Sequence, residues 1–226
     1  MDKNKIYTEL RRSITRGYLK PCAKLDISEL TKHYKTSISP LRDALRSLSQ
    51  EGLFVIKPRS GYFVYQITFQ QLRDLLELRE ILEIAVCQLA IKRITDEKIE
   101  QLSSDHTSYD VESYDQSVDE NRRFHILIAQ ATGNEELVQM LGRVHDLLAR
   151  FLFMAFVHTD KTQEQIHARI IDAFRARDKD ALLETMIKDI QNTRDVILSR
   201  VMEEQGSAWQ IGNLETDRYS YVEDAR

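Results

Sequence analysis

The sequence predicts a mainly α protein in two parts: a short helical head carrying one β-hairpin, and a larger all-helical body. Three observations predict it. Apolar residues recur at three- and four-residue spacing through most of the chain. Turn formers are scarce, with 7 Gly and 3 Pro in 226 residues, which disfavours a fold built on many tight turns. One pair of short β-rich runs, FVI and YFV, flanks the Pro/Gly turn KPRSG and reads as a hairpin.

In the head, Ile6, Leu10 and Ile14 lie four apart among Lys and Arg, which predicts an amphipathic first helix ended by Gly17 and Pro21. A short second helix fits Ser28–Tyr34, capped by Asp26 or Ser28, with Leu30 inward. A third starts at Ser37 or Ser39 and tolerates Pro40 in its first turn. Leu41, Leu45 and Leu48 form its buried stripe, and Gly52 closes it. Three helices and a hairpin within residues 1–66 give the order of a winged helix-turn-helix domain.

From Thr68 onward, Leu72, Leu76, Leu82, Val86 and Ala90 continue the helical spacing. Thr95 caps TDEKIEQL, and the polar stretch Thr107–Ser117 reads as a loop. Further helices are expected near 119–131, 134–157, 162–176 and 179–203, broken at Gly133–Asn134 and Arg177–Asp178. Residues 67–204 therefore read as an all-α bundle. Residues 205–226, including Trp209, lose the periodicity and read as a flexible tail.

Charge separates the two parts. Residues 1–66 carry 13 Lys and Arg against 6 Asp and Glu, whereas the rest carries 19 against 30. A basic head on an acidic body points to a polyanion met by the head alone. Composition, 42% hydrophobic and 30% charged, is globular. Cys22 and Cys87 lie far apart, which excludes a disulfide framework or a Cys-based zinc site and suggests a reducing compartment. No run approaches the ~20 apolar residues that span a bilayer, and the charged start lacks a secretory core, so a cytoplasmic location without membrane contact is expected.

The head also holds the residue types that grip DNA. Arg42 and Arg46 share the helix face opposite the leucine stripe, where a recognition helix meets base edges. Ser37 and Ser39 sit at the positive helix end, suited to phosphate. Lys57 and Arg59, before Gly61, form a basic wing tip, and Arg11 and Arg12 are placed for flanking phosphates.

The stretch SISPLRDALRSLSQEGLFVIKPRSGYFV resembles the helix-turn-helix and wing of GntR-type regulators, over about Ile6 to Val64. The spacing of Ser37, Pro40, Arg42, Ala44, Leu45, Leu48, Gly52, Leu53, Gly61 and Val64 carries the resemblance. Ile38 stands where the family commonly has an Arg that helps read the operator. The second half resembles the FadR-like effector (FCD) domain of the same family over about Leu72 to Leu198. Leu78-Arg79 with Leu82-Glu83, NRRFHILIAQATGN and HARIIDAFRARDKDALLETMIKD carry that match.

The resemblance implies a DNA-binding transcriptional regulator, a repressor, that binds operator DNA as a homodimer. Its body would sense a small metabolite of the carboxylate or sugar-acid class. It also implies a divalent metal site of one Asp and three His, whose positions map here to Asn121, His125, His167 and Asp189. Asn replaces the Asp and Asp replaces the last His. Two imidazoles, a carboxylate and an amide oxygen suit Zn, Mn or Ni. The alternative is a metal-free polar pocket in which His125 and His167 meet the effector directly. Arg79 either clamps an effector carboxylate or pairs with Glu83 at the surface. His145 and His158 are expected as surface or satisfied interior histidines. A metal-dependent helical-bundle enzyme using His125, His167 and Asp189 is the competing reading, and the basic head argues against it.

Overall fold

The computed structural model describes residues 2–107, 114–156 and 162–205. It divides the chain into compact units at Met1–Ile67 and Thr68–Glu204. His158 and the expected tail beyond Gln205 lie outside the described residues.

The head contains α1 (Lys3–Thr15), α2 (Ile27–His33), α3 (Ile38–Gln50), β1 (Phe54–Lys57) and β2 (Gly61–Val64). Carboxylates start the first two helices. Asp2 accepts from the Lys5 amide, and Asp26 accepts from Ser28 and Glu29. Each satisfies amides that a helix start leaves without partners. Helix α3 starts differently: Ser37 is its N-cap residue but makes no side-chain cap bond. Its end is a Schellman motif. Gly52, at φ 84°, donates to Ser49, and Leu53 donates to Leu48.

The strands pair antiparallel, with Phe54 opposite Val64 and Lys57 opposite Gly61. Ile6, Leu10, Leu30, Leu41, Leu45, Leu48, Phe54 and Val64 are buried together. Each such side chain removed from water contributes about 1.5–3 kcal/mol, so the leucine stripe fixes which side of α3 faces out.

The body contains α4 (Phe69–Ala90), α5 (Asp96–Thr107), α6 (Tyr114–Gln130), α7 (Glu135–Phe156), α8 (Thr162–Arg175) and α9 (Lys179–Gln205). Helix α6 begins inside the stretch expected to be a loop. The run YDQSVDE offers only Tyr114 and Val118 as apolar positions, too few for spacing alone to reveal it. Thr68 and Gln71 form a capping box on α4. Thr95, Asn134 and Asp178 cap α5, α7 and α9. Helix α4 packs on α6 and α7, and its buried residues include Leu72, Leu76, Leu82 and Val86. Among the described residues, no helix is long and apolar enough to cross a membrane.

Candidate DNA interface and buried effector site

On the head, Ser37, Ser39, Arg42 and Arg46 are all exposed. Ser39, Arg42 and Arg46 follow helical spacing on the side away from Leu41, Leu45 and Leu48. Arg46 approaches Asp43 only to 4.0 Å, in solvent, so that pair does little to hold it. Ile38 opens α3 with 49% of its surface exposed.

At the wing tip, the Ser60 amide donates to the Lys57 carbonyl, closing a turn with Pro58 and Arg59 at its centre. Arg59 has φ 62°, the left-handed region that glycine favours. Lys57 lies 4.6 Å over the Phe63 ring. Gly61 has φ 112° and supplies a conformation that side chains rarely adopt. Arg11 is half-buried on α1. Lys24, which sequence reasoning missed, joins the wing through a bridge to Phe63. Its surrounding sequence carries no strand signal that would have found it.

In the body, charged groups lie where apolar ones are expected. Arg79, Glu83, Asn121, His125, His145, His167 and Asp189 are all at most 2% exposed. They come from α4, α6, α7, α8 and α9. The surface pairing of Arg79 with Glu83 is thereby corrected: they do pair, Nε to Oε1 at 3.2 Å, but inside the bundle. Glu83 joins three partners. His125 Nδ1 lies 2.8 Å from Oε2, and His145 Nε2 lies 3.0 Å from Oε1. The sequence signal for Glu83 was its i,i+4 spacing from Arg79, which looks the same on a surface as in a core. His145 had no such signal.

Burial pushes the Glu83 carboxyl up, but His125, His145 and Arg79 outweigh it and hold the group well below its ordinary value. Burial pushes His145 down to about 4, despite its bond to Glu83. Asp189 is pushed up by burial, against the pull of His125 and Arg79. The Cys87 thiol, on the same helix as Glu83, is raised well above its ordinary value by burial and by the Glu83 and Asp189 charges.

Donor atoms of His125, His167 and Asp189 lie within 4.8 Å of one another, and so do those of Glu83, His125 and His145. The first set fits a metal ion. Nδ1 of His125 lies 2.8 Å from Glu83 Oε2 and Nε2 lies 3.6 Å from Asp189 Oδ2, so a His125 that donated through Nδ1 would present Nε2 to an ion beside Asp189. A carboxylate that fixes a histidine tautomer in this way is the usual outer partner of a metal ligand. Asn121 is buried one turn before His125 on α6. His167 stacks on Phe124 with ring centroids 4.0 Å apart, which fixes its plane. Arg79 Nη2 also enters the set, 3.4 Å from His125 Nε2 and 3.5 Å from Asp189 Oδ2.

Comparison with known proteins decides what this pair of units is. The family described as "FCD domain" matches residues 74–192, and "Bacterial regulatory proteins, gntR family" matches residues 2–64. This chain belongs to the GntR family. It is a ligand-responsive, DNA-binding transcriptional regulator, and the enzyme reading finds no support among its relatives. This GntR chain is 33% identical over 186 residues to "HTH-type transcriptional repressor GlaR" of Escherichia coli (strain K12), covering 76% of this chain and 84% of that protein. It is 25% identical over 210 residues to "HTH-type transcriptional repressor RspR" of the same organism, covering 90% and 91%. The solved structure of E. coli McbR/YncC superposes with a TM-score of 0.74 at 19% identity, covering 88% of this chain and 97% of that one. A putative GntR regulator from Rhodococcus sp. RHA1 gives 0.72 at 18% identity, covering 87% and 97%. At these identities both structures speak for the fold alone.

Proposed function

We propose that this regulator represses transcription as a homodimer on operator DNA, and that a small carboxylate entering the bundle changes its hold on the operator. Arg42 and Arg46 read base edges in the major groove, and exposed Ile38 offers apolar surface to a thymine methyl. Ser37, Ser39, Lys57, Arg59 and Arg11 contact phosphates, with the backbone at Gly61 shaping the wing. Two copies place two such helices on two half-sites. The resemblance to GlaR and RspR, both named as repressors, supports the direction of control.

The observation that carries the sensing half is the buried polar cluster. Charged groups removed from water cost several kcal/mol each unless compensated, so a core built for stability alone has little use for them. Five helices converge Arg79, Glu83, three histidines and Asp189 on one place. Among the described residues, Nη1 of Arg79 and Nδ1 of His145 are buried there without a hydrogen bond. A carboxylate would satisfy Arg79, and His125 and His167 would contact the rest of the effector. Zn, Mn or Ni would be held by His125, His167 and Asp189, with the Asn121 amide oxygen completing the set. Bound, the ion supplies positive charge that attracts an anionic effector.

The effector acts by binding the two DNA-affinity states unequally, and a coupling of about 1–3 kcal/mol is enough to change operator affinity roughly 5- to 150-fold. A thermal-shift screen of small carboxylates and sugar acids, with and without divalent ions, tests the reading. A true effector raises the melting temperature by mass action and changes operator affinity in the same concentration range. A ligand that stabilises the protein without altering DNA binding would contradict its role as an effector.

A further inference from the structure

The guanidinium of Arg79 lies among the atoms that would hold the ion. Nη2 is 3.4 Å from His125 Nε2 and 3.5 Å from Asp189 Oδ2, which are themselves 3.6 Å apart. The three atoms form a nearly equilateral triangle. An ion bonded at about 2.1 Å to both donors falls within roughly 4 Å of Nη2, whichever side of the pair it takes. Arg79 is 1% exposed, so little water screens the two cations from each other. A guanidinium cannot relieve the repulsion by giving up its proton.

We propose that Arg79 is the resident cation of this donor set and competes with a divalent ion for His125 and Asp189. The inference rests on reading His125, His167 and Asp189 as metal donors. Nη2 partly neutralises Asp189. On loading, the fork must leave. Its stem has a hold of its own, because Nε bonds Glu83 at 3.2 Å. Among the described residues Nη1 makes no hydrogen bond. Loading therefore releases a second anion-binding nitrogen beside a new positive charge. Metal and carboxylate then favour each other's binding, by the reciprocity that links any two coupled ligands. The exchange also sets the affinity for the ion, which must displace Arg79 to enter.

Cobalt(II) titration of the full chain tests this, in a Cys22→Ser background because Cys22 is an exposed thiol. Wild-type Arg79 is compared with Arg79→Met, which keeps the stem and removes the charge. The variant is expected to bind cobalt at least about tenfold more tightly. Equal or weaker binding by a variant that still melts cooperatively would overturn the inference. Should that variant fail to fold, the wild-type protein decides. The Arg79 Nε–H signal in a proton–nitrogen spectrum, slow to exchange because it is buried and bonded to Glu83, should change its chemical shift as zinc is added and the neighbouring fork leaves, while keeping its protection. A signal unchanged at zinc saturation refutes the displacement. If neither protein binds cobalt, or if His125→Ala/His167→Ala binds it as well as wild type, the donor set itself is wrong and the inference falls with it. Equal cobalt affinity with and without the Arg79→Met change, abolished by the double alanine change, removes Arg79's role and leaves the donor set standing.

Discussion

His145 donates through Nε2 to Glu83 and is buried. Its native value near 4 lies below the ordinary 6.5. Between those values the unfolded chain binds a proton that the native protein does not. Stability therefore falls as pH drops from about 6.5 toward 4, by on the order of 3 kcal/mol for this one group. Glu83 acts in the same direction at lower pH. Its native value is depressed, so its contribution stands above its ordinary 4.5 and is lost as pH falls through the native value. Asp189 is raised and opposes both, since just above its ordinary 3.8 the native state holds that proton more firmly. Urea unfolding in metal-free buffer should show a midpoint that falls on acidification, and His145→Gln should flatten that fall between about pH 6.5 and 4.5. An unchanged slope would contradict the neutral, buried His145.

Arg59 makes the opposite case, an exposed residue in a strained backbone. A left-handed conformation costs a side-chain-bearing residue about 1–2 kcal/mol, and glycine avoids that but loses more entropy on folding. Arg59→Gly should leave stability unchanged or raise it by up to about 1 kcal/mol. The same change should weaken binding to all duplexes alike and lower the salt slope by about 1. A destabilised wing, or DNA affinity equal to wild type, would contradict the placement of this residue. The sequence marks Arg59 as a wing residue through its neighbours Pro58 and Gly61. It does not reveal the left-handed backbone, because KPRSG fits more than one turn.

Helices are where local chemistry is most legible. Asp26, Thr95, Asn134 and Asp178 mark helix starts because short polar side chains satisfy amides left open there. Gly52 marks the end of α3, and its φ of 84° explains why. Gly52→Ala should cost about 1–2 kcal/mol by thermal or urea unfolding, since no open space relieves a left-handed backbone. A cost below a few tenths would mean that the Schellman end does not set the α3–β1 connection. The start of α6 at Tyr114 is hidden because its first seven residues offer only Tyr114 and Val118 as apolar positions. Periodicity reports a helix only where enough apolar residues recur to mark it.

At the scale of the whole chain, the charge contrast between head and body is legible in the sequence itself, since it is only a count of residues. The inner cluster is not. Its members lie on α4, α6, α7, α8 and α9, and no spacing rule links residue 83 to residue 145. Asn121, His125, His167 and Asp189 are found through family resemblance. Glu83, which binds Arg79 and two histidines, is missed because an Arg–Glu pair four apart is the commonplace of a solvated helix.

The central claim is that the exposed side of α3 discriminates among base pairs. The direct test is affinity at physiological salt for a duplex selected from a random pool against an unrelated duplex, for wild type and for Arg42→Ala/Arg46→Ala. Wild type should prefer the selected duplex about a thousandfold or more. The double variant should lose about 1–3 kcal/mol per arginine on that duplex, and much less on the unrelated one. Equal wild-type affinity for both duplexes, or a variant that keeps the full preference, would contradict the account.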